Sequence, residues 1–139
     1  SSDHGQTPQA RAGVYVADTP DGFTRKGILG ALRERRAFGA TVAASVRLSA
    51  GAEPMGREVV TDGAPAIDCG VSAPADIAQC DLVRDGRFVY SVRSKAREAA
   101  FQYRDLDLKP GQSSYYYLRA RIGTNDFAWS SPLWVRRNP

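Results

Sequence analysis

The chain has 139 residues, of which 42% are hydrophobic and 24% charged, enough to bury one core without metals or crosslinks. Its longest apolar run falls far short of the roughly 20 residues a membrane-spanning helix needs, so no membrane partner is expected. The net charge is +4 and the isoelectric point about 9.3, yet Arg33, Arg35 and Arg36 form the only dense basic group before Arg136-Arg137. No basic stripe alternates with aromatics, so nucleic acid is not expected as a partner either.

The opening Ser1-Ser2-Asp3-His4-Gly5 has no character of a signal or transit peptide. With no Met at position 1, the chain is expected to be part of a longer protein. Residues 1–21 read as loop, with one short buried strand at Gly13-Val14-Tyr15-Val16-Ala17. Thr19-Pro20-Asp21-Gly22 is dense turn chemistry. Residues 24–37 then read as a helix: Thr24 caps its start, Ile28, Leu29 and Leu32 form an apolar stripe, three arginines complement the dipole at its end, and Gly39 closes it. Gly27 and Gly30 inside it each cost about 1 kcal/mol relative to Ala. Such a helix stands poorly by itself. Its stripe is expected to pack on the rest of the chain or on a second copy.

From residue 41 the hydrophobic period changes to two. Strands are predicted at 41–49, 57–61, 65–72, 77–84, 87–93, 99–106, 114–122 and 127–136. Turns fall at Glu53-Pro54-Met55-Gly56, Lys109-Pro110-Gly111-Gln112 and Thr124-Asn125-Asp126, with a two-residue hairpin at Asp85-Gly86. About eight strands with turns at this spacing predict an antiparallel immunoglobulin- or fibronectin-like β-sandwich. The fold class is therefore mainly β, with a short strand and one α-helix ahead of the sandwich. Trp129 and Trp134 have opposite parity, which places one in the core and the other at an edge; Pro132 between them fits an edge strand or a bulge.

Few residues suggest chemistry. There is one histidine, no nucleophile elbow and no glycine-rich phosphate loop. Ser1-Ser2-Asp3-His4 is the only compact polar constellation; Asp3 and His4 could ligate a divalent metal, but two ligands do not make a catalytic metal site. Cys69 and Cys80 alternate with Ile67, Val71 and Leu82, so both thiols point into the core, either free or paired as a disulfide should the protein be exported. Asp105 and Asp107, two apart, read as a solvated face. Tyr115 and Tyr117 share one strand face and Tyr116 takes the other.

The order of several segments resembles the C-terminal end of PHP-type hydrolases, the polymerase-and-histidinol-phosphatase-like family, in its branch with an appended β-sandwich. The segments are Ser1-Ser2-Asp3-His4, Val14-Tyr15-Val16, Thr24-Arg25-Lys26-Gly27-Ile28, Ala31-Leu32-Arg33-Glu34-Arg35-Arg36 and Ala37-Phe38-Gly39-Ala40-Thr41. Pro54-Met55-Gly56, Leu82-Val83-Arg84-Asp85-Gly86, Tyr116-Tyr117-Leu118-Arg119 and Ala128-Trp129-Ser130-Ser131-Pro132-Leu133-Trp134-Val135 follow.

The resemblance implies that residues 1–40 end a metal-binding barrel and 41–139 form the sandwich. In a bacterial parent, cytoplasmic or exported, the barrel would hydrolyse phosphoesters with a divalent metal. Asp3 and His4 map onto the family's Ser-Asp-x-His segment, here without the intervening residue, and would be ligands only in the full-length parent. This chain alone is then non-catalytic and cofactor-free. Its partner is the N-terminal barrel of the same protein, with a homo-oligomer as a further option. The competing reading is an immunoglobulin-like module that binds carbohydrate or protein.

Overall fold

A computed structural model of the chain describes residues 10–139. Asp3 and His4 lie outside the described residues. Twelve strands and one helix follow in order: β1 (Arg11–Val14), α1 (Arg25–Arg33), β2 (Ala37–Ala40), β3 (Ser45–Ala50), β4 (Glu53–Pro54), β5 (Glu58–Thr61), β6 (Ala66–Ser72), β7 (Ile77–Arg84), β8 (Arg87–Val92), β9 (Glu98–Arg104), β10 (Ser113–Ile122), β11 (Asp126–Ser130) and β12 (Leu133–Arg137). They build a mainly β, immunoglobulin- or fibronectin-like sandwich, preceded by a short strand and the helix.

The smaller sheet has the order β4-β3-β6-β9. The larger one is organised by β10, its longest strand. β7 pairs with β10 from Tyr116 to Ile122, and β8 pairs with β7. The opposite edge of β10 is shared: β12 covers Ser113 to Tyr116 and β11 covers Arg119 to Ile122. Every pair is antiparallel except β5 with β12. β1 pairs with β2, and β2 pairs with β11, so strands from the first forty residues extend the sandwich's own larger sheet.

The core follows the period-two pattern. Tyr116, Leu118, Ala120 and Ile122 of β10 meet Val46 and Leu48 of β3 and Ile67, Cys69 and Val71 of β6. The alternate residues of β10, Tyr115, Tyr117, Arg119 and Arg121, stand on the outer face. The expected hairpin joins β7 to β8 through Asp85 and Gly86, both with positive φ (50° and 80°), as a type I′ turn requires.

Several expectations need correction. The tryptophans do not divide between core and edge; both leave the core. The run from 127 to 136 is two strands, broken at Ser131-Pro132 where proline has no N–H for the ladder, and the break shifts the alternation. β11 turns Ala128 and Ser130 inward and β12 turns Leu133 and Val135 inward. The early strand is Arg11–Val14 rather than 13–17. The helix stops at Arg33, not at residue 37, and Gly39 lies in β2 instead of capping it.

The stop has a clear local cause. The Arg36 N–H bonds to the Ala31 carbonyl and the Arg35 N–H to that of Leu32, both at 3.0 Å, with Arg35 in the left-handed region at φ 58°. This is the hydrogen-bond pattern that ends helices around a residue of positive φ. An arginine holds the place usually taken by glycine.

Candidate functional site

Among the described residues singled out for chemistry, Asp105 and Tyr116 come together, while the two cysteines stay unpaired. Cys69 and Cys80 are both buried and both free. Burial pushes the Cys80 thiol up to about 11 and drives Cys69 higher still, with each neighbouring negative charge adding to the effect. These are protonated core thiols rather than nucleophiles.

Asp105 was expected on a solvated face beside Asp107. It is fully buried instead, because β9 ends at Arg104 and the chain turns inward there. Arg84 Nη1 donates to both of its carboxylate oxygens (2.9 and 2.7 Å), the Tyr116 hydroxyl donates to Oδ2 (2.6 Å), and the backbone N–H groups of Asp107 and Leu108 donate to Oδ1 (2.9 and 3.2 Å). Burial alone would raise the Asp105 pKa, but the bonds from Tyr116, Arg84 and Asp107 hold it below the usual carboxylate value. Burial first, and then Asp105, push the Tyr116 hydroxyl well above its ordinary value. Every acceptor is used, so this cluster pins the crossing from β9 to β10, much as a tyrosine corner does in such sandwiches.

Among the described residues no three His, Cys, Asp or Glu side chains cluster as a metal would need.

The feature that remains unspent is the helical arm. Thr24 caps α1, accepting from the Gly27 N–H (3.2 Å) and donating to the Asp21 carbonyl (2.6 Å). A Cβ at Gly27 would run into the carbonyls of Asp21 and Gly22, so this glycine lets the first turn sit directly on the preceding loop. Ala31 is fully buried beneath the helix. Ile28, Leu29 and Leu32 are 36%, 41% and 44% exposed, and Phe23 just ahead is 84% exposed. The sandwich does not cover this stripe, contrary to the first option expected for it.

The arm is nonetheless firmly held at its C-terminal end. The Arg35 Nε donates to the Gly56 carbonyl (2.9 Å), and its guanidinium carbon lies 5.0 Å from the centre of the Trp134 ring. Gly56, at φ 90°, donates its N–H to the Pro132 carbonyl (2.7 Å). A Cβ there would collide with the carbonyl groups of Glu34 and Arg35. Glu34 also pairs with Arg36 (3.0 Å) and Arg57 (3.4 Å). Tyr15 completes the junction, its N–H bonded to the Arg36 carbonyl and its hydroxyl to that of Val46, both at 2.8 Å. A short apolar helix face is thus held on a rigid mount and faces solvent.

Sequence reasoning found the stripe but missed the mount. A positive φ at Arg35 leaves no mark in composition. The Pro-Met-Gly sequence at 54–56 signalled a turn, not what the turn touches.

No protein-family profile matches the chain. It is similar to an uncharacterized protein of Chlamydia pneumoniae, at 27% identity over 134 residues, covering 84% of this chain and 22% of that protein. Uncharacterized proteins of Chlamydia trachomatis and Chlamydia muridarum are each 26% identical over 84% of this chain and 21% of their own length. The chain thus spans about a fifth of the length of the curated relatives it matches. Among solved structures, a lytic polysaccharide monooxygenase of Jonesia denitrificans aligns over 89% of this chain and 76% of its own, with a TM-score of 0.42 and 13% identity. At that level the likeness carries no argument.

Proposed function

We infer that this chain is a non-catalytic accessory module of a larger PHP-type metal-dependent hydrolase of the phosphoesterase type, and that it braces the catalytic barrel or borders its interface. The observation that carries this reading is the exposed stripe of Phe23, Ile28, Leu29 and Leu32, held on a rigid mount and uncovered by the chain's own sandwich. Such a stripe of a water-soluble chain calls for a partner surface. That partner, in this reading, is the N-terminal body of the parent, and relatives about five times as long as the matched region leave ample chain for one. The metal and the water it activates belong to the parent. This chain's own part is to seat α1 against the barrel. Asp3 and His4 would join the ligand set only there.

Hydrogen exchange tests the seating. Amides of residues 25–33 are expected to exchange more slowly in the longer protein than in the 139-residue chain. Equal exchange in both would remove the docking role. A phosphomonoesterase and phosphodiesterase assay with added divalent metal tests the chemistry. Turnover is expected only in the longer protein, reduced by Asp3→Ala and His4→Ala. Turnover by the 139-residue chain itself overturns the reading.

A further inference from the structure

The outer face of the larger sheet carries a second feature, which does not depend on the parent protein. β5, β12 and β10 lie side by side there, and their register sets two parallel rows across the strands. One row is Glu58, Trp134 and Tyr115; the next is Val60, Arg136 and Ser113. Neighbouring strands are about 4.8 Å apart, so the indole and the phenol stand next to each other as a cross-strand pair. The rows line a groove of about 390 Å³, within the size range of small-ligand sites.

The Trp134 ring and the Tyr115 backbone are held in place before any ligand arrives. Arg35 lies on the Trp134 ring and is itself bonded to Gly56. The Tyr115 backbone is locked by Asp85, which accepts its N–H (3.0 Å) and also takes the Ser114 hydroxyl (2.8 Å). By contrast, the side chains of Glu58 and Arg136 line the same groove with no hydrogen-bond or ion-pair partner among the described residues.

We propose that this groove binds a neutral saccharide. The apolar face of a sugar ring stacks on Trp134 and Tyr115, while its hydroxyls donate to the Glu58 carboxylate and accept from the Arg136 guanidinium. The charge balance selects against a polyanion: Glu58 and Asp85 outnumber Arg136 in the lining, whereas a nucleic-acid groove needs an excess of positive charge. An indole already held in place also reduces the conformational entropy that the protein loses on docking a ligand.

Isothermal titration calorimetry of the 139-residue chain with hexasaccharides of β-1,4-glucose, β-1,4-N-acetylglucosamine, β-1,4-mannose and α-1,4-glucose at millimolar concentration tests the site. At least one is expected to bind saturably. Trp134→Ala and Glu58→Ala should each weaken it about tenfold or more, while Trp129→Ala, outside the groove, should leave the affinity unchanged. Glu58→Ala alters an exposed side chain, so it remains informative even if Trp134→Ala unfolds the protein. Four outcomes would overturn the proposal: no response to any of the four sugars, equal losses at Trp134 and Trp129, preferential binding of a single-stranded oligonucleotide, or self-association that buries the groove.

Discussion

The corner at Asp105 and the arm at α1 are opposite solutions to burial. At the corner a carboxylate is fully enclosed, and an arginine, a tyrosine and two backbone amides all donate to it. On the arm, three aliphatic side chains and Phe23 remain substantially in water. A buried charge is tolerable only when all its bonds are made, so the corner is complete within the chain. An exposed leucine costs far less than an unpaired buried carboxylate, so the arm can wait for a partner. The difference separates what this chain needs in order to fold from what it holds for something else.

The contrast is broken most directly at the corner. Asp105→Ala leaves the Tyr116 hydroxyl buried without an acceptor and strips Arg84 of its partner. Because the Arg84 side chain is 25% exposed, the loss is expected at the low end for a broken buried pair, about 3 kcal/mol in a urea titration. The same groups set the pH limits. Asp105 is held below its unfolded value, so its contribution is present above about pH 4 and fades as acid protonates it in the folded state. Tyr116 and the two thiols are raised. The unfolded chain therefore releases their protons first, and stability falls with rising pH from about 8.5, the unfolded thiol value. Cys80→Ala should flatten the onset of that alkaline limb, and an unchanged profile would show that the thiol does not contribute to it.

Gly56→Ala attacks the mount between the two regions. The new methyl meets the Glu34 and Arg35 carbonyls at a positive φ, for an expected loss of about 2 kcal/mol. Amide exchange should accelerate in 25–36 more than in β10. A uniform change would mean that arm and sandwich unfold as one unit.

The sandwich was readable because alternation reports a half-buried strand directly: β6, β7 and β10 lie within a residue of their predicted bounds. The Asp85-Gly86 turn was readable for a similar reason, since few residues accept two successive positive φ angles. What escaped were features set by distant contacts. Asp105 was misread because the strand pattern was carried two residues past Arg104, to Leu106, and nothing local announces that Arg84 and Tyr116 converge on it. Trp129 and Trp134 were misread because parity counts assume an unbroken strand. The arm's stripe was visible as a period, but what covers it was not, because a period records only which residues share a face. The groove was half visible: Tyr115 could be placed opposite Tyr116, but its pairing with Trp134 depends on a register that only the folded sheet supplies.

The arm itself should respond weakly in the isolated chain. Gly30 faces open space, so Gly30→Ala adds no collision and is expected to stabilise by up to about 1 kcal/mol through helix propensity alone. Leu29→Ser and Leu32→Ser remove side chains that are 41% and 44% exposed, and each should cost about 1 kcal/mol. In the longer protein the same two substitutions would cut into a buried interface, where truncating a large aliphatic side chain costs about 2 kcal/mol or more. The difference between the two backgrounds, not either value alone, measures whether the stripe has an occupant. A loss above about 2 kcal/mol already present in the 139-residue chain would mean that Leu29 and Leu32 are buried within it.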